Sequence, residues 1–127
     1  MVGYTGASLE NLVIPAVFED NGTWYRVTSI DTSAFSDCDK LITVTIPDSV
    51  TTIGSFAFER CDDLRSVTIG DSVTTINNYA FAFCYDLTSI TFKGTVAQWN
   101  AITKGSNWNR AVPTTEVICS DGIVALD

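Results

Sequence analysis

The feature that most limits what this chain can become is a 23-residue period in its middle. Residues 41–63 read LITVTIPDSVTTIGSFAFERCDD and residues 64–86 read LRSVTIGDSVTTINNYAFAFCYD; aligned without gaps, they are identical at 14 of 23 positions. The register runs past both blocks. Leu41, Leu64 and Leu87 are 23 apart, as are Cys38, Cys61 and Cys84, Phe35, Phe58 and Phe81, and Ile30, Ile53 and Ile76. A period of this length marks a solenoid, because one unit has no partner for its apolar face while stacked units share a continuous core.

Each unit alternates two patterns. In Val44-Thr45-Ile46 and Val67-Thr68-Ile69 apolar residues alternate with hydroxyls, the period-2 signature of a half-buried strand. Pro47-Asp48-Ser49 and Gly70-Asp71-Ser72 then supply turn chemistry. Val50 with Ile53, and Val73 with Ile76, make a second short apolar pair. The Ala-Phe-x-x-Cys run that follows suits a single helical or 3₁₀ turn facing inward. The expected fold is an α+β repeat: a short right-handed solenoid of about 3–4 coils whose parallel strands stack about 4.8 Å apart, with hairpin and short-helix caps.

The ends depart from the repeat, as solenoid ends do where strand edges need covering. Leu12-Val13-Ile14-Pro15 copies the strand signal, but 11 residues separate Pro15 from Val27 where only 2 separate Pro47 from Val50. Within this insertion, Asn21-Gly22 lies between Ala16-Val17-Phe18 and Trp24-Tyr25, a strong hairpin signal. Near the other end Thr95 and Gln98 form a capping box. Val96, Trp99 and Ile102 share a helical face, and Gly105 is placed to stop the helix. Glu116-Val117-Ile118-Cys119, Ser120-Asp121-Gly122 and Ile123-Val124-Ala125-Leu126 read as a second hairpin. Residues 1–127 are therefore expected to form one solenoid domain. Its parts are a degenerate first coil with hairpin insert (12–40), full repeats (41–63 and 64–86), and a partial repeat with a C-terminal cap (87–127). Two non-repetitive ends suggest an array complete at its C-terminus.

The blocks resemble the BspA-type leucine-rich repeat family, whose units read roughly Leu-x-x-Val-x-Ile-Pro-x-x-Val-x-x-Ile-Gly-x-x-Ala-Phe-x-x-Cys. Residues 41–61 match at each of those positions, while residues 64–84 depart at Gly70, where the family prefers Pro, and at Asn77, where it prefers Gly. VTSIDTSAFSDC (27–38) fits the second half, with Asp31 where Gly is usual. GTVAQWNAITKGSNWN followed by VICSDG resembles the segment that closes such arrays in bacterial surface proteins. The resemblance implies a cell-surface or secreted protein. Met-Val-Gly-Tyr-Thr-Gly carries neither the charged nor the apolar region of a secretory leader, so either the protein is intracellular or the Met begins a processed or excised chain, and the resemblance favours the second.

Composition narrows the chemistry. With 46% apolar residues the chain fills a core, and a net charge of −8 opposes binding to nucleic acid or an anionic membrane. No apolar stretch is long enough for a membrane helix. There is no histidine, which removes the commonest general base and metal ligand. Two carboxylates suffice for a glycosidase, but the acids here sit on repeat edges and in turns, and short coils offer no deep pocket. Nucleophile and phosphate-loop motifs are absent. The reading is non-enzymatic, with no cofactor and no obligate metal.

Three cysteines mark the repeat and lack zinc-ligand spacing; stacked on one ladder they point the same way, so free core thiols are expected over a disulfide. Asp37, Asp39, Glu59, Asp62, Asp63 and Asp86 line one edge. They serve either as a solvated, solubilising rim or as a weak Ca²⁺ or basic-partner patch. Asp48 and Asp71 read as turn-forming. Outward strand positions give one row of Thr43, Ser66 and Ser89 and another of Thr45, Thr68 and Thr91, with Arg65 and Thr88 varying beside Ile42. Such rows serve recognition in solenoids, and Thr is also simply a good exposed strand residue. Trp24, Tyr25, Phe83 and Tyr85 break the repeat and are candidate hot spots; Trp24 reads equally as a seal on the first coil. By resemblance, the expected role is an extracellular protein-binding or adhesion module of a bacterial surface protein, contacting a host or matrix protein or another surface protein. The alternative is a structural spacer or terminal cap of a larger surface protein.

Overall fold

The alternation of apolar and hydroxyl residues becomes strand in coil after coil. The computed structural model describes residues 10–126. Its elements in chain order are β1 (Asn11–Val13), β2 (Val17–Asp20), β3 (Thr23–Arg26), β4 (Ser29–Ile30), β5 (Thr43–Ile46), β6 (Thr52–Ile53), β7 (Ser66–Ile69), β8 (Thr75–Ile76), β9 (Ser89–Phe92), α1 (Val96–Ala101), β10 (Thr103–Lys104), β11 (Glu116–Cys119) and β12 (Gly122–Ala125). The long strands form a six-stranded sheet in the order β1-β5-β7-β9-β11-β12, and the short ones a second sheet in the order β10-β8-β6-β4. β2 and β3 pair only with each other.

Pairing between coils is parallel and strictly in the repeat register: Thr43 lies opposite Ser66 and Ser66 opposite Ser89. In β5, β7 and β9 the residues alternate half-buried and buried, so Val44, Ile46, Val67, Ile69, Ile90 and Phe92 point into the core. At the front, Asn11 pairs with Thr43. That register absorbs the insertion into the β2–β3 hairpin. Asn21 and Gly22 both take positive φ, 52° and 80°, the type I′ turn that Asn-Gly favours.

The Ala-Phe-x-x-Cys run is not a helical or 3₁₀ turn. It is a chain of overlapping turns, in which Ala57 donates to Gly54, Glu59 to Phe56 and Cys61 to Phe58. Two residues four apart are left-handed in each: Ser33 and Asp37, Phe56 and Arg60, Tyr79 and Phe83. That alternation turns every second N–H toward the next coil. Phe56, Phe58 and Arg60 donate to the carbonyls of Asn78, Ala80 and Ala82 at 3.0, 2.7 and 2.9 Å. A helix would spend those donors internally and leave the coils unjoined on this side.

Inside the ladders the repeated aromatics stack. Phe35, Phe58 and Phe81 lie face to face with centroids 5.2 Å apart, and Trp108 closes the column edge-on to Phe81 at 6.4 Å. Cys61 Sγ donates to the Phe35 carbonyl at 3.2 Å, and Cys84 Sγ to the Phe58 carbonyl at 3.1 Å. Gly70 stands where a Cβ would run into the Pro47 backbone of the preceding coil, a close approach that explains its departure from the family's Pro. The turn acids stack as well: Asp71 N–H donates to Asp48 Oδ1 at 3.0 Å, and Lys93 pairs with Asp48 Oδ2 at 3.2 Å. The Asp71 amide first, and Lys93 after it, hold the Asp48 carboxyl below its usual pKa.

Residues 87–112 trace one more coil, with α1 in place of the turn between the sheets. Thr95 and Gln98 form the expected capping box. Gly105, however, does not stop the helix. α1 ends at Ala101, Ile102 turns extended, and β10 intervenes. Gly105 instead donates to the Ile76 carbonyl, the place Asn77 takes against Ile53 one coil earlier and Gly54 against Ile30 two coils earlier. The helix end is closed by Lys104, whose Nζ donates to the Trp99 and Ile102 carbonyls at 2.8 and 3.2 Å and lies 4.7 Å over the Trp99 ring. β12 folds back antiparallel on β11, the predicted second hairpin.

Two stability outcomes follow. Phe58 is covered on both ring faces, so Phe58→Ala should cost about 3–5 kcal/mol in chemical denaturation, more than Phe35→Ala at the open end of the column. Ser49 Oγ is buried without a hydrogen-bond partner, whereas its repeat mate Ser72 is exposed. Ser49→Ala should therefore raise stability by about 1 kcal/mol, and Ser72→Ala should leave it unchanged in the same titration.

Candidate binding surfaces

The outer face of the six-stranded sheet carries both hydroxyl rows. Thr43, Ser66 and Ser89 are half-buried and mutually in register, as are Thr45, Thr68 and Thr91. Arg65 and Thr88 are exposed beside the first row, and Ile42 is half-buried. The rows reach further than the repeat itself. Asn11 continues the first row and accepts from Thr43 Oγ1 at 2.8 Å. Val13 continues the second at the front, and Ile118 then Ile123 continue it at the back. Val13, Ile118 and Ile123 are exposed, so a hydroxyl band is flanked at both ends by apolar side chains. Sequence reading missed these flanks. The signal for Val13 was present, since nine inserted residues place it opposite Thr45.

The aromatics that break the repeat do not join this face, and they fall in two separate corners, Phe83 with Tyr85 at a ring-centre distance of 6.2 Å in one of them. Trp24 and Tyr25 lie on β3, in the corner that leaves the C-terminal end of β1. Trp24 is 67% exposed, so it does not seal the first coil; the residues closing the core there are Leu12, Ile14, Val27 and Ile30. Tyr25 stacks on Phe18 with centroids 5.3 Å apart. Every residue of β2 and β3 is exposed, so the hairpin projects with both faces uncovered. The pairing Phe18–Tyr25 puts those rings on one face, and Glu19–Trp24 puts the indole on the other. Phe83 and Tyr85 occupy the opposite corner, before β9. Phe83 is half-buried beneath Arg60, whose guanidinium carbon lies 4.8 Å from the ring centre, while Tyr85 is exposed.

The acidic edge is in the same corner as Tyr85. Asp37, Asp39, Asp62, Asp63 and Asp86 are exposed and Glu59 is half-buried. Among the described residues no group of three or more His, Cys, Asp or Glu side chains is disposed to hold a metal ion. The cysteines are free thiols: Cys61, Cys84 and Cys119 buried, Cys38 half-buried at the front of the ladder. Burial pushes the Cys38 and Cys119 thiols up. The neighbouring Cys84, and then burial, push Cys61 much further. Low reactivity follows, because the thiolate is the reactive species.

The BspA type leucine rich repeat region matches in six copies over residues 4–105. The chain belongs to this family. Its solved relatives are leucine-rich repeat proteins of bacteria. A leucine-rich repeat protein from Bacteroides capillosus ATCC 29799 is 36% identical with a TM-score of 0.71, the match covering 90% of this chain and 79% of that one. One from Bacteroides ovatus ATCC 8483 is 30% identical with a TM-score of 0.70, over 86% of this chain and 30% of that one. A leucine rich cell surface protein from Faecalibacterium prausnitzii A2-165 is 29% identical with a TM-score of 0.68, over 93% of this chain and 37% of that one. The chain thus spans about a third of the length of the last two. No curated protein matches it significantly. The chain is a leucine-rich repeat module of the kind found in bacterial surface-type proteins, and no helix among the described residues is long and apolar enough to cross a membrane.

Thiol burial sets an ordered reactivity. In native protein at neutral pH, maleimide labelling followed by peptide mapping should modify Cys38 first, with Cys61 and Cys84 reacting only after denaturant is added. Equal labelling of all three would contradict the burial order.

Proposed function

We propose that this module is a non-catalytic, extracellular binding or adhesion unit that recognises a protein partner, either a host or matrix protein or another surface protein. The observation that carries the reading is the β2–β3 hairpin. An isolated two-stranded hairpin is marginal in water, and here Val17, Phe18, Trp24 and Tyr25 are all held out into solvent. Exposed Trp, Tyr and Arg are the side chains that most often dominate interface energy. The hydroxyl band of the main sheet lies next to the hairpin and offers a rigid donor–acceptor surface on which many modest contacts add. Tyr85 with Phe83 supplies a further aromatic point at the opposite corner, beside the acidic edge.

Recognition would be spread over the surface, with the strand face setting register and the hairpin aromatics anchoring. Catalysis has no support in the site. Among the described residues, the cavity of about 440 Å³ is lined by polar side chains such as Asn107, Asn109, Arg110 and Thr115, with no carboxylate or cysteine among them. A second reading, a spacer or terminal cap in a longer surface protein, draws on the chain's partial coverage of its longer relatives.

An array of matrix proteins, surface proteins and glycans probed with the native module separates the two. A binding unit retains a defined partner. Trp24→Ala and Tyr25→Ala should each weaken retention at least tenfold, in the range of a hot-spot truncation, and Arg65→Glu or Tyr85→Ala should weaken it severalfold, with thermal unfolding unchanged in all four. A spacer retains nothing, and that result overturns the proposal.

A further inference from the structure

Among the described residues the turn-run ladder is left open at its C-terminal end, and a cavity stands in front of it. In each coil three alternate N–H groups are received by the next. Ser33, Phe35 and Asp37 donate to the carbonyls of Ser55, Ala57 and Glu59 at 2.9, 2.8 and 2.8 Å. Tyr79, Phe81 and Phe83 donate likewise to Ser106, Trp108 and Arg110 at 3.2, 2.8 and 2.7 Å. The next three in the series are Asn107, Asn109 and Ala111. Asn107 and Ala111 repeat the left-handed pair, with φ of 57° and 61°, so this backbone has the same form as the coils before it. Among the described residues, their N–H groups meet no acceptor.

The cap explains why. β11 and β12 extend the main sheet beyond β9, but none of the described residues extends the turn run. The step left between them is a cavity of about 440 Å³, lined by Asn107, Asn109, Arg110, Ala111, Thr115 and Leu126 among others. Arg110 is the charged side chain in that lining. It precedes the left-handed Ala111 as Glu59 precedes the left-handed Arg60, so it shares the repeat column of Glu59.

We propose that this step binds an acidic peptide segment of another protein, folded in the same run of turns, as one more rung. Carbonyls at alternate residues of the segment accept from Asn107, Asn109 and Ala111, and an acidic side chain sits against Arg110. Three donors two residues apart in sequence are too widely spread for one small anion. They match a chain with the spacing that the internal rungs display. Those rungs also supply a template. The segment Ser-Phe-Ala-Phe-Glu-Arg (residues 55–60) presents carbonyls to Ser33, Phe35 and Asp37, and in the same register over the open end its glutamate falls in the column of Arg110. The site lies apart from the hairpin and the strand face, so its success or failure leaves the proposed function standing on its own test.

The probe is that hexapeptide, N-acetylated and C-amidated, added to ¹⁵N-labelled native protein. The amide signals of Asn107, Asn109 and Ala111 should shift saturably and exchange about tenfold more slowly with solvent. A peptide with lysine in place of glutamate should bind about fivefold more weakly. Arg110→Glu should reverse that preference, and Trp24→Ala should alter neither affinity. Three results overturn the proposal: no shift at these amides up to roughly millimolar peptide, shifts centred on the hairpin or the strand face, or an unchanged glutamate preference in Arg110→Glu.

Discussion

Everything in this molecule follows from the requirement that each coil hand its outward backbone groups to the next at one strand spacing. The main sheet, the second sheet and the turn run are three ladders meeting the same demand on three sides of the coil. Once the backbones are in register, equivalent side chains are forced into contact. A position can then be repeated only if its side chain tolerates a copy of itself a few ångströms away. Phenylalanine does so by stacking, as in the 35–58–81 column. Threonine and serine do so as neutral hydroxyls. Like charge is repeated on the exposed edge and in the turns, as at Asp48 and Asp71, where a backbone amide and Lys93 meet the carboxylate, while columns such as Ser36, Glu59, Ala82 and Arg110 change character from coil to coil.

The same demand accounts for the least ordinary backbone in the structure. A left-handed conformation is unfavourable for a bulky L-residue by about 1–2 kcal/mol, yet Phe56, Arg60, Tyr79 and Phe83 all adopt it. Each conversion aims an N–H at the adjoining coil, and each forms a short rung there. The rings then add their own contact, Phe56 on Tyr79 at 5.3 Å and nearly parallel. Rung and stack together offset the local cost, and neither is visible to rules that expect glycine or asparagine where φ is positive.

That is also where the sequence stopped being legible. Apolar periodicity reported the strands, their register and the core faithfully, because burial dictates periodicity. The Asn21-Gly22 turn and the Thr95–Gln98 capping box were equally readable, since each needs particular side chains. The turn run was misread as helical because Ala-Phe-x-x-Cys matches a helical turn in spacing, and the outcome was decided by hydrogen bonds to the next coil. Gly105 was misassigned for the same kind of reason: its place is set by Ile76, in a different coil. For the surface, the strand-face rows were legible from the period alone, while the exposure of Trp24 depended on whether the hairpin packs or projects. That is a tertiary fact with no local signature.

This division bears on where specificity can reside. Residues that obey the repeat are chosen for compatibility with their own copies, so they vary little and give a surface that is uniform along the array. Under the proposed binding role, discrimination between partners needs features that occur once. In this chain those are the hairpin inserted at β2–β3, the Arg65 and Tyr85 departures, the apolar ends of the hydroxyl band, and the step at Arg110. The hairpin, the apolar ends and the step lie where stacking is interrupted or ends, so a side chain there is not obliged to match a neighbour above and below; Arg65 and Tyr85 are single exposed departures within the stacked coils. An array of this kind can therefore change its surface at its corners and its ends while the coils that hold it together stay nearly identical.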